Sequence, residues 1–146
     1  MIVLASDHAA IELKEALKAV VERRGLECED LGPVDHASVD YPDFAHRLAA
    51  AVADGSARMG ILLCGTGIGM SMAANRHPGV RAALCHDAFT AAMARRHNDA
   101  NVLCIGARVT GVGVAEQMVE IFLDSDFEGG RHGRRVDKIE THAEEK

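Results

Sequence analysis

Short apolar runs alternate with amphipathic segments along nearly the whole chain, and that alternation leaves few architectures open. Residues 2–5, 27–31, 61–63, 80–85 and 102–105 read as strands. Helical patterns cover 9–24, closed by Gly25, and run from Pro42 to about Asp54, with Gly55 behind it. Further helices are predicted over 68–75, 88–96 and 112–123. Five strands, each returned by a helix, imply a parallel sheet covered on both faces, and right-handed crossovers favour a doubly wound order. The expectation is an α/β chain, a three-layer Rossmann-like fold of five parallel strands within one domain of 146 residues. Ligands of such sheets lie beyond the carboxyl ends of the strands. Asp7 and His8, Cys64, His86 and Asp87, and Arg108 all follow predicted strands there.

The end of the third predicted strand carries the most chemistry. An apolar run stops at Cys64, and Gly65, Gly67 and Gly69 then alternate through a turn into the next helix. Such a turn aims backbone N–H groups outward, where they suit a phosphate or an enediolate oxyanion and stabilise a thiolate. Cys64 is therefore a candidate base, and buried packing is the competing role for a cysteine at a strand end. The spacing G-x-G-x-G does not complete the dinucleotide fingerprint, and no Walker lysine follows.

Composition narrows the function classes. A formal net charge of −6 argues against a general binder of nucleic acid or membrane surfaces, and no Trp with one Tyr and four Phe leaves no platform for stacking bases. No basic leader or apolar stretch of about 20 residues is present, which predicts a cytoplasmic protein. Cys28, Cys64, Cys85 and Cys104 form no C-x-x-C pair, so reduced thiols are expected. Eight histidines without H-E-x-x-H or a tight His/Cys cluster predict no metal site. After Leu123 a polar segment is expected to cross the surface irregularly, with a final helix from Val136 ending in the acidic tail Glu144-Glu145-Lys146.

Several motifs occur in one order: Ser6-Asp7-His8, Asp40-Tyr41-Pro42, Cys64-Gly65-Thr66-Gly67-Ile68-Gly69, Ala73-Ala74-Asn75, His97 to Val102, and Glu128-Gly129-Gly130-Arg131-His132 with Arg135. Together they resemble the type B ribose-5-phosphate isomerases, within the wider sugar-phosphate isomerase family that includes galactose-6-phosphate isomerase subunits. The resemblance covers almost the full length. It implies interconversion of an aldose phosphate and a ketose phosphate without metal, nucleotide or other cofactor. It also implies a homodimer, or a tetramer, whose sites take residues from both chains.

The same resemblance implies individual roles. Cys64 moves the proton between C1 and C2; some relatives use a glutamate later in the turn, where this chain has Met70, so the cysteine variant is implied. Backbone N–H groups from Gly65 through Gly67 to Gly69, with the hydroxyls of Thr66 and Ser71, stabilise the enediolate, although turn formation and helix capping compete for both hydroxyls. His97 opens the sugar ring, its near-neutral titration suiting an acid or base, and Asn98 meets substrate hydroxyls. Read without the resemblance, His97 is a cation at a helix C-terminus and Asn98 a left-handed cap. Arg131 and Arg135 hold the phosphate in a C-terminal segment and helix at about 125–143, with His8 donating and Arg108 reaching across the dimer. Asp7 orients hydroxyls, and Tyr41 either lines the pocket or only starts its helix. Arg134 is expected as a solvated charge and His36, His46, His77 and His142 as surface residues, while His86 on the functional edge tunes substrate choice.

Competing functions are an isomerase of another sugar phosphate, such as allose 6-phosphate or a tetrose phosphate, and a non-catalytic phosphate-binding module on the same architecture. Against the latter stand Cys64, His97 and Arg131 in one chain, and the lack of an acidic cluster beside the first strand.

Overall fold

The apolar runs are continuous because their strands are covered on both faces. The computed structural model describes residues 1–141 and shows one parallel sheet in the order β2-β1-β3-β5-β4. Its strands are β1 (Ile2–Ser6), β2 (Cys28–Asp30), β3 (Met59–Cys64), β4 (Ala82–Leu84) and β5 (Val102–Gly106). The helices are α1 (Ile11–Arg23), α2 (Tyr41–Ala53), α3 (Ile68–Ala74), α4 (Ala88–Asn98), α5 (Val112–Asp124) and α6 (Arg131–Asp137).

Alternate residues of the three central strands feed two separate cores. Ile2, Leu4, Ile61, Leu63, Leu103 and Ile105 pack with Leu17 and Val20 of α1, Ala91 and Ala94 of α4, and Met118 and Phe122 of α5. Val3, Ala5, Leu62, Cys64, Val102 and Cys104 face the other way, against Leu48 and Val52 of α2 and Met70 and Ala74 of α3. A Cβ on Gly60 would stand 2.4 Å from the Leu48 side chain, so glycine in β3 lets α2 approach the sheet. Among the described residues no helix is long and apolar enough to cross a membrane.

Four expectations need correction. The outer strands β2 and β4 are shorter than predicted, because each pairs on one side only and its residues are incompletely covered. The first helix opens with a separate 3₁₀ turn, His8–Ala10, capped by Asp7. Helix α4 continues through His97 and Asn98, and the left-handed residue is Asp99, with φ 46°. Its carboxylate meets Arg81 at 3.3 Å and Arg95 at 3.0 Å, anchoring that conformation. Finally, α6 begins at Arg131 rather than Val136, because Gly129 and Gly130 take positive φ and let the chain turn into the helix early. The acidic tail and His142 lie outside the described residues.

Candidate active site

β3 delivers Cys64 to the carboxyl edge of the sheet, where it is 5% exposed. The following turn is locked to β5 by bonds from Ala107 N to Cys64 O (2.8 Å) and Arg108 N to Gly65 O (3.0 Å). Gly67 takes φ 79°, and a Cβ there would lie 2.6 Å from Leu84 and 3.0–3.1 Å from the backbone of Ile105 and Gly106. Glycine is thus demanded by conformation and by space. In this geometry the Gly67 N–H donates to Cys64 Sγ at 3.1 Å. Burial pushes the thiols of Cys28 and Cys85 up to about 11 and raises Cys104 further. Among the described residues, Cys64 is the cysteine whose sulfur accepts an N–H. Thr66 Oγ1 accepts from Ile68 N at 3.3 Å and Ser71 Oγ donates to Ile68 O at 2.7 Å, so both hydroxyls do serve the start of α3.

Three elements furnish the surroundings. Asp7 Oδ1 accepts from Ala9 N at 2.9 Å, which orients its carboxylate beyond β1. His8 Nδ1 accepts from Val39 N at 3.2 Å, so a neutral His8 carries its proton on Nε2 and turns a donor outward. The loop bearing Val39 is braced by the fully buried Lys14, whose Nζ donates to Pro33 O (2.6 Å) and pairs with Asp30 (2.9 Å). Tyr41 opens α2 and also closes the turn: a Cβ on Gly69 would fall 2.5 Å from its ring. Arg108 lies along its own chain's turn, its Nη1 3.4 Å from where a Gly65 Cβ would sit. Gly65 leaves that space open, and the Arg108 amide is already anchored there. His86 is exposed beside Asp87, which caps α4 through Thr90.

The remaining candidates lie elsewhere. α4 returns antiparallel to the strands, so His97 and Asn98 at its end reach the amino edge, just before β5 begins. Strand β5 alone separates the two edges by roughly 13 Å, at about 3.3 Å per residue. α6 packs on α4, carrying exposed Arg131 and Arg135 to that same amino edge. One chain therefore brings together Asp7, His8, Tyr41, Cys64, its glycine turn and Arg108, and separately groups His97, Asn98, Arg131 and Arg135. Arg134 is exposed as expected, as are His36, paired with Glu12, and His46, which meets His77 at 2.8 Å.

Glu128 and His132 carry no individual role in the sequence reading, although their i, i+4 spacing was visible. Both close on His97: the rings of His97 and His132 stack 4.2 Å apart at 7°, and Glu128 Oε1 lies 3.6 Å from one and 3.8 Å from the other. The ligand atoms of this trio fall within 4.8 Å of one another, a histidine–carboxylate cluster that sequence spacing did not predict. Parallel stacking works against a metal, since one ion cannot lie in the planes of two parallel rings and take both lone pairs.

Residues 2–139 match the ribose/galactose isomerase family. Ribose-5-phosphate isomerase B of Escherichia coli (strain K12) is 44% identical over 133 residues, 91% of this chain and 89% of its own. The D-erythrulose-4-phosphate isomerase of Pectobacterium atrosepticum is 44% identical over 140 residues, 94% of this chain and 91% of that relative. The crystal structure of ribose-5-phosphate isomerase B from Mycoplasma genitalium with bound ribulose 5-phosphate is 46% identical and superposes with a TM-score of 0.91, covering 94% of this chain and 92% of that one. The chain belongs to the ribose/galactose isomerase family.

Proposed function

We propose that this protein interconverts ribose 5-phosphate and ribulose 5-phosphate through an enediolate, in a homodimer that joins the carboxyl edge of one chain to the amino edge of the other. The observation that carries the reading is Cys64 Sγ accepting the Gly67 N–H inside a glycine turn. A sulfur so placed, at a strand end beside an N–H donor, suits a base that takes a proton from a carbon acid, and the turn's further N–H groups suit the enediolate that results.

His97 first opens the furanose: the O1 hydroxyl loses its proton, C1–O4 breaks and O4 gains a proton. The Cys64 thiolate then takes the C2 proton, leaving an enediolate whose O1 faces the turn's N–H groups and Thr66. The thiol returns that proton to C1 while the O2 proton passes to O1, which yields the ketose. Arg131 and Arg135 of one chain grip the phosphate with Arg108 and His8 of the other, bidentate forks suiting its oxygens. Asp7, Tyr41, Ser71 and Asn98 position the hydroxyls. The separation of the two groups within one chain supports this sharing. The four free cysteines support a reducing compartment, the cytoplasm.

The test is an assay of the purified protein on ribose 5-phosphate, allose 6-phosphate and erythrose 4-phosphate, with and without EDTA. Turnover on ribose 5-phosphate untouched by chelation is expected. Activity lost in EDTA and restored by a divalent metal overturns the mechanism. Preference for the tetrose phosphate would favour a second reading, to which the Pectobacterium relative lends weight.

A further inference from the structure

The mechanism above uses His97 but leaves its two neighbours without a task. Oε1 of Glu128 lies at the edge of two stacked imidazoles, 3.6 Å from His97 Nε2 and 3.8 Å from His132 Nε2. Two imidazolium rings face to face at 4.2 Å repel each other, and one carboxylate neutralises only one of them. The trio is therefore suited to hold one proton rather than two. It is also held in place: the Glu128 amide donates to Arg96 O at 3.0 Å, and the His132 amide donates to Gly129 O at 3.0 Å.

The two rings are not equivalent. The His132 side chain is 12% exposed against 40% for His97. Burial first, then the positive charges of His97, Arg131 and Arg135, press the His132 pKa below the ordinary imidazole value, with Glu128 opposing. These are the charged groups facing His132 from α4, α6 and the connecting segment. Arg95 of α4 turns inward instead, to Asp99 and the Ala100 carbonyl. Of the two rings, His132 is thus the one whose surroundings disfavour the charged form, and Glu128 stands slightly nearer to the more open ring of His97.

We propose that Glu128 and His132 are positioning residues for His97, the stacked His132 ring fixing the plane of the His97 ring and the nearby carboxylate supporting the proton that His97 gives to the sugar's ring oxygen. The proton given to O4 is replaced by the one taken from O1, so the trio ends each ring opening as it began. The kinetic part of this proposal rests on the isomerase reading, whereas its electrostatic part does not.

Two measurements on the full-length protein separate them. Imidazole NMR should show the His132 titration falling by about half a unit or more in Glu128→Gln and rising in His97→Asn. Glu128 has a half-exposed side chain, so its replacement spares the core. Superimposable His132 curves in wild type and both variants overturn the electrostatic part. In turnover, Glu128→Gln should lose about three- to tenfold on ribose 5-phosphate at pH 8 and recover as the pH is lowered, because removing a negative charge moves the protonation limb to lower pH. Proton exchange at C1 of ribulose 5-phosphate should not change. His132→Phe, which keeps a flat ring, should retain more ring opening than His132→Ala. A loss in Glu128→Gln that is equal on both substrates and does not recover with pH overturns the positioning role. Wild-type protein inactive on both sugar phosphates would refute the isomerase reading instead, and the titrations would still decide the electrostatic part.

Discussion

The two edges of the sheet hold their functional groups by different means. At the carboxyl edge, backbone geometry does most of the work: Cys64 ends a buried strand, its carbonyl accepts from Ala107, and its sulfur takes an N–H from a left-handed glycine. At the amino edge side chains hold one another: His97 at the end of α4 is stacked on His132 of α6, a short helix with no buried residue, and is flanked by Glu128. A backbone-built site is rigid and intolerant of added atoms. A side-chain-built site is tunable by charge and tolerates substitution structurally. Under the proposed function, the contrast teaches that the step needing an exact carbon–base distance and the steps needing proton supply and phosphate grip fall on differently built parts of the chain.

The largest effect should come from Cys64→Ala, which is expected to lower kcat by about 10²–10⁴ while substrate still binds, since only the transition state loses its proton acceptor. Steady-state kinetics with a binding titration checks it, and near-normal turnover would remove Cys64 as the base. His97→Asn should be selective: turnover of cyclic ribose 5-phosphate falls steeply, whereas deuterium exchange at C1 of ribulose 5-phosphate, a ketose that cannot close into a furanose, survives. Equal loss in both assays would break the division of labour between the edges.

The proposed sharing of sites between two chains predicts rescue. Mixing Arg108→Ala with Arg135→Ala under subunit exchange should regain activity, because a heterodimer carries one site with both defects and one with neither. With random exchange about a quarter of all sites become intact. No recovery despite demonstrated heterodimers would put both arginines on one chain's site or remove one from phosphate binding. Rigidity at the carboxyl edge is tested by Gly67→Ala, whose φ and 3.0 Å backbone approach should cost more than about 1 kcal/mol in a denaturation series. Gly133→Ala at the amino edge, where a Cβ meets nothing within 4 Å, should be tolerated. Smallest of all, Tyr41→Phe keeps the ring over Gly69 and should change kcat/KM by less than about tenfold; a larger loss would make the hydroxyl, rather than the ring, the functional part.

Much of the fold was legible because its signals are local. The apolar runs of β1, β3 and β5, Gly25 and Gly55 after α1 and α2, and Pro42 at the start of α2 all act over a few residues, and each element stands within a few residues of its expected place. Cys64 with its glycine turn was equally readable, since strand, turn and helix are consecutive. Other features depend on distant partners. Asp99 rather than Asn98 ends α4 because Arg81, from another strand end, pairs with it. The early start of α6 accompanies a tie from Glu128 to Arg96, across more than thirty residues of chain.

By itself, then, the sequence determined the alternating α/β architecture, the thiol at a glycine turn, and the motif set that marks a sugar-phosphate isomerase. Each follows from hydrophobic period, turn chemistry or residue order, which need no knowledge of neighbours in space. Only the tertiary structure decided that Arg108 lies on its own chain's turn, that His97 stands at the opposite edge from Cys64, and that Glu128 and His132 enclose it. Those facts arise because helices of a doubly wound sheet run back against the strands, carrying residues at their ends to the far edge, and because charge pairing acts through space rather than along the chain.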